Sequence, residues 1–227
     1  MLQKKYLSQD KSIASYDYTD IASGTGYSIF YGANIADGTI SGSYVLSDNA
    51  FYSDKVTTYA NVPQAVTNFA NIDFDVTFNM PRTAKGKVIV CVPVGIGRET
   101  GQANGVLTMN LSGSIIHYDG TTETNLGSFR SSDFALDDAV DAYGYDILSS
   151  VVDIAITHFK VGDTLRVSIE GWSRIGAAVT RYVGIGHDPK NQPDDNATGG
   201  GLTIYDLSVT TFGPTTMEVH VPFKIDV

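Results

Sequence analysis

Residues 153–172, DIAITHFKVGDTLRVSIEGW, force a sheet on any fold this chain adopts. Leu165, Val167 and Ile169 alternate with Arg166, Ser168 and Glu170, which is the period of a strand with one face on a core and one in water. A second run, from Asp153 to Phe159, precedes it, and Lys160-Val161-Gly162-Asp163 separates the two. Gly162 supplies the positive φ of a tight turn, and the Asp163 side chain is suited to bonding backbone just beyond it. The unit predicts two antiparallel strands.

The same grammar recurs along the chain. Tyr27-Ser28-Ile29-Phe30-Tyr31, Tyr44-Val45-Leu46 and Lys55-Val56-Thr57-Thr58-Tyr59 read as short strands among glycines. Ile72, Phe74, Val76 and Phe78 alternate with polar residues up to Pro81, which cannot continue a ladder. Lys85-Gly86-Lys87 reads as a turn into the apolar run 88–94. Leu107, Met109, Leu111 and Ile115 alternate again, and Asp119-Gly120 predicts a hairpin with a strand around 126–129. Further strands are expected over 177–185, 202–209 and 217–226, where Pro222 asks for an edge or a bulge. Residues 132–143 are the sole candidate helix, with Ser132 as cap and Gly144 as terminator, and an acidic loop competes with that reading. Roughly ten strands with almost no helix give an all-β class: an antiparallel, jelly-roll-like β-sandwich with at most one short helix. Residues 1–12 are polar and read as an extended arm, leaving 13–227 as a single sandwich domain.

Charge and cysteine narrow the function. A net charge of −10 repels a phosphate backbone, so no nucleic-acid partner is expected. The start of the chain lacks a signal-peptide run, and no stretch reaches the ~20 apolar residues of a membrane span, so no membrane partner is expected either. One cysteine excludes an internal disulfide, and Cys91, inside 88–92, reads as a small buried hydrophobe.

No motif carries chemistry. His117, His158, His187 and His220 lack metal-ligand spacing. Asp188, Asn191, Asp194, Asp195 and Asn196 offer oxygen ligands, but without the glycine and terminal glutamate of an EF-hand loop, and turn chemistry explains them equally. Gly95 to Gly101 has the wrong glycine spacing for a phosphate loop and no Lys-Ser/Thr after it. No catalytic, cofactor-binding or metal-binding residue is therefore assigned, and no enzyme is expected. The 13 tyrosines are the main binding feature: Tyr16, Tyr18, Tyr27 and Tyr31 suit an interface or a sugar platform, and suit ordinary strand positions equally well.

The stretch Thr157 to Ile169, with its Gly162-Asp163 turn, and the final strand 217–226 resemble the jelly rolls of virion proteins and, more remotely, the trimeric heads of the TNF and C1q type. The N-terminal arm and strands such as Ser12-Ile13-Ala14-Ser15-Tyr16-Asp17-Tyr18 look like accessory virion proteins of tailed bacteriophages. The resemblance implies a capsid decoration, head-fibre or tail-associated protein, located in the virion after synthesis in the host cytoplasm. It also implies a homo-oligomer, with a trimer favoured, bound to other virion proteins. The acidic charge fits an outer station and departs from genome-packaging capsid proteins, which carry a basic arm. The alternative is a carbohydrate- or receptor-binding sandwich in which tyrosines and the loop 187–201 contact a glycan or host receptor.

Overall fold

The computed structural model describes residues 14–15, 25–35, 43–55, 57–62, 65–98, 106–137, 143–175, 181–191 and 214–224. Its strands are β1 (Ala14–Ser15), β2 (Thr25–Ile35), β3 (Ser43–Ser47), β4 (Thr57–Val62), β5 (Val66–Thr77), β6 (Arg82–Arg98) and β7 (Val106–Tyr118), followed by β8 (Glu123–Arg130), β9 (Phe134–Asp137), β10 (Tyr143–Phe159), β11 (Thr164–Ile175), β12 (Arg181–Gly186) and β13 (Glu218–Lys224). The protein is all-β, and no helix occurs among the described residues.

One hydrogen-bonded path, β4-β12-β6-β13-β2-β3-β5-β11-β7-β8, links the strands and folds over into two layers. Strand β6 organises the first layer. Its whole length bonds β10 on one side, while β13 and β12 share the other, pairing with 84–91 and 94–98. Strand β13 then pairs β2, which carries β1 and β3. In the second layer β11 lies between β5 and β7, and β7 carries β8 and β9. The pairings are antiparallel except at Val45↔Asp75, where β3 meets β5 and the layers join. The sandwich is open: β10 packs beside β8 without a ladder between them.

The core is the inward phase of the alternating strands. Phe74, Leu165, Val167, Ile169, Leu107, Met109, Leu111 and Ile115 from one layer meet Val88, Val90, Val92, Val94, Val219 and Val221 from the other. Phe78 stacks edge-on against Phe159 and Phe223, which ties the turn end of the sandwich together. The organising turn is stapled to that end. Gly162 N–H donates to the Phe78 carbonyl at 2.8 Å, and Phe78 N–H donates to that of Asp163 at 2.9 Å.

Several expectations meet the structure directly. Gly162 has φ +92°, and the Asp119-Gly120 hairpin forms with the Asp119 carboxylate accepting N–H bonds from Thr121 and Thr122. Pro222 sits at a bulge, where the β13–β6 register shifts between His220 and Phe223, although β13 is an interior strand. Other expectations are corrected. Phe134–Asp137 is a strand and not the start of a helix, because the margin of β7 at 106–109 offers it a ladder. Lys85-Gly86-Lys87 is not a turn: it lies within β6, where Gly86 at φ +117° sits opposite the irregularity of β10 between Ile154 and Thr157. The arm 1–12, Tyr16, Tyr18, and the strand expected over 202–209 lie outside the described residues.

Candidate functional site

The polar residues that sequence alone leaves scattered form three groups. In the first, the β10–β11 turn aims Asp163 back toward its own start: its carboxylate accepts Lys160 N–H at 2.8 Å and lies 2.7 Å from His117 Nε2. The Lys160 N–H, then His117, hold the Asp163 carboxyl below the usual carboxylate range. His117 in turn rests edge-on against Phe159, 4.6 Å away. Asp163 therefore bonds backward rather than just ahead, and the pair locks a turn.

The second group is buried between the layers. His187 follows β12 and is fully enclosed between the Tyr44 and Phe74 rings. Its Nε2 lies 3.0 Å from Thr58 Oγ1, which also meets the Tyr44 hydroxyl, and its Nδ1 has no hydrogen-bond partner among the described residues. Burial pushes the His187 imidazole down to about 4. Beside it Asp188 accepts Ser53 N–H at 3.0 Å, and the Ser53 hydroxyl accepts Asn34 N–H while donating toward the Lys55 carbonyl at 2.5 Å. Asn191 Oδ1 takes the N–H and hydroxyl of Thr215, so 187–191 is laced to the segment before β13. Ser, His and Asp thus come together, but not as a nucleophile and its base: the imidazole contacts Thr58, and the serine hydroxyl is held by main-chain groups. Asp194, Asp195 and Asn196 of the expected oxygen-rich loop lie outside the described residues.

The third group is on the outer side of β11. Arg166 forks onto Asp75 through two 2.8 Å bonds, contacts Glu123, and lies 3.8 Å from Asp73. The Asp75 carboxylate foremost raises the Arg166 pKa above its ordinary value, so the guanidinium stays charged. It binds three strands' side chains to one another and is itself satisfied.

The remaining surface of interest is the outer face of the first layer. The register sets Ile29, His220, Ile89 and Val151 in one row across four strands, and Tyr31, Glu218, Cys91 and Ser149 in the next. Tyr27 and Tyr31 share this face, and the Tyr27 hydroxyl donates to the Lys87 carbonyl at 3.0 Å. On this face Lys87 pairs with Asp153 at 3.4 Å, and His220 Nε2 lies 2.9 Å from Glu218 Oε2. At its margin β10 exposes Ile147 and Val151. Cys91 corrects the expectation of a buried residue. It sits half-buried on this outer face, with the Ser149 hydroxyl 3.4 Å from its sulfur, because Val88, Val90, Val92 and Val94 take the inward phase.

The four histidines occupy four separate places: His117 at Asp163, His158 beside Thr83, His187 in the core and His220 at Glu218. No group of three His, Cys, Asp or Glu suited to a metal forms among the described residues, and no helix there is long and apolar enough to cross a membrane. Sequence reasoning missed Asn34, Ser53 and Thr215, whose partners lie far along the chain. It also missed Ile147 and Val151, whose signal was an apolar residue at both phases of 147–152.

No protein-family model and no curated protein sequence matches the chain. Among solved structures it is similar to two of a CocE/NonD family hydrolase from Staphylococcus aureus, at 10% identity, with TM-scores of 0.45 and 0.44. The aligned regions cover 86% and 88% of this chain, and the chain spans 36% of each hydrolase.

Proposed function

We propose that this protein is a non-enzymatic structural component of a virion, a capsid decoration or other accessory protein that assembles with its own copies and with neighbouring virion proteins. The observation that supports the reading is the outer face of the first layer, where β10 leaves Ile147 and Val151 in water on a sheet margin beside the Lys87–Asp153 ion pair. Exposed apolar side chains on an open strand are a template for another chain. The chemically versatile side chains are meanwhile engaged in holding turns and layers. Such a protein works by shape, with main-chain bonds setting register and apolar anchors supplying most of the energy.

Light scattering on the purified chain, with and without residues 1–12, tests the assembly step. A stable oligomer, weakened by removal of the arm, is the expected result; a monomer indifferent to the truncation counts against it. A second reading, a glycan- or receptor-binding sandwich, draws on Tyr27 and Tyr31 lying four residues apart on the same outer face. Glycan binding by a monomer, lost in Tyr31→Ala, would place that reading first.

A further inference from the structure

We propose a buried hydration site between β2 and the residue that follows β12, where ordered water bonds the Asn34 carboxamide and His187 Nδ1 and joins one to the other. The inference stands apart from the assembly reading.

Asn34 and His187 are 1% and 0% exposed. Among the described residues neither polar atom of the Asn34 amide has a hydrogen-bond partner, and neither has His187 Nδ1. Exchanging the amide nitrogen and oxygen changes nothing, because both are unpartnered, and turning the imidazole over would give up the Thr58 contact at Nε2. A buried donor or acceptor left unmade lowers the folding equilibrium roughly tenfold. Three such atoms together call for a partner.

The fold brings these atoms to one place. Asn34 continues the inward phase of Phe30 and Gly32 on β2, where a Cβ on Gly32 would meet Met217 and Phe74. Its neighbour across the ladder is Tyr44, whose ring stands 5.2 Å from that of His187. On its other side Asn34 bridges Lys55, and the Lys55 carbonyl acts on the His187 ring. The Ser53 hydroxyl accepts Asn34 N–H, and Asp188 accepts Ser53 N–H, so 53–55 and 187–188 close over Asn34 together.

Water is the ligand this chemistry selects. The amide carries no charge, and burial keeps the imidazole neutral above about 4. No group of three His, Cys, Asp or Glu among the described residues is there to hold a metal. Water both donates and accepts, so it serves the amide N–H, the amide oxygen and either tautomer of the imidazole. The bridge ties β2 to the end of β12, beside the Val45–Asp75 junction where the layers join.

The test uses the full chain and begins with a high-resolution crystal structure. Ordered water bonded to the Asn34 amide and to His187 Nδ1 is expected; a dry site, or Asn34 turned onto a protein group, overturns the proposal. Stability in urea gives an independent sign. Asn34→Leu keeps the volume, evicts the water and leaves His187 Nδ1 bare, so the midpoint is expected to fall and the folding equilibrium constant to drop about tenfold or more. In a dry site the same change deletes two orphaned atoms, and a midpoint that holds or rises overturns the proposal. Asn34→Leu combined with His187→Phe removes all three atoms and is expected to lose at least about threefold less than the two single changes multiplied together. Independent losses overturn the link between the two residues. None of these readouts depends on oligomer formation, which light scattering tests separately.

Discussion

Gly113 of β7 faces Ile169 across the ladder to β11 and Phe129 across the ladder to β8. A Cβ there would sit 2.1 Å from the Ser168 carbonyl oxygen and 2.6 Å from the Phe129 ring, and backbone cannot step aside. Gly113→Ala is expected to destabilise the fold by about 3 kcal/mol or more, measured by urea denaturation. His187 gives a residue-scale prediction of another kind. Its imidazole stays neutral in the folded protein down to about pH 4, while in the unfolded chain it takes up a proton near 6.5. Between those values the unfolded state binds more protons, so stability falls as the pH drops through that window, by up to about 3 kcal/mol from this group. Denaturation across that range should show the slope, and His187→Phe, which keeps a ring between Tyr44 and Phe74, should flatten it. Neither role is visible in sequence. Gly113 looks like a break in an otherwise regular alternation, and the rings that enclose His187 lie more than 100 residues before it.

Elements reading as alternating runs were legible because burial on one face writes a period of two into the chain. Leu165, Val167 and Ile169 are buried as that period requires. The turn before them was legible too, since only a residue tolerant of positive φ fits at 162. Nothing lies within 4 Å of a Cβ at that position, so Gly162→Ala is expected to cost about 1 kcal/mol through backbone conformation alone, seen as a lower denaturation midpoint with native spectra. Where a segment's partner is distant, local signals mislead. Residues 132–137 carry a helix cap and early acids, yet β7 presents unpaired backbone at 106–109 and wins Phe134–Asp137 for the sheet. The apolar run 88–94 hides its own phase, so Cys91 cannot be told from its buried neighbours until β10 and β13 fix which side faces out.

At the scale of the whole molecule, surface and fold separate cleanly. Val151 points away from the core, so Val151→Lys should leave the monomer's unfolding free energy within about 0.5 kcal/mol of the parent while changing its self-association. Unchanged melting at low protein concentration, alongside altered light scattering at high concentration, is the expected pair of results. The position of β13 has a consequence for how the chain reaches this state. It is the last described strand in sequence, yet it lies between β6 and β2, made far earlier. Until residues 218–224 are made, the edges of β6 and β2 that β13 pairs with lack that partner, and unpaired edges invite association. The strand acts as a keystone, since its backbone fills the gap between β6 and β2. Truncated translation products lacking it would be recognised by their open seam and feed chaperones, proteases or aggregates, whereas a finished copy seals that seam with its own backbone.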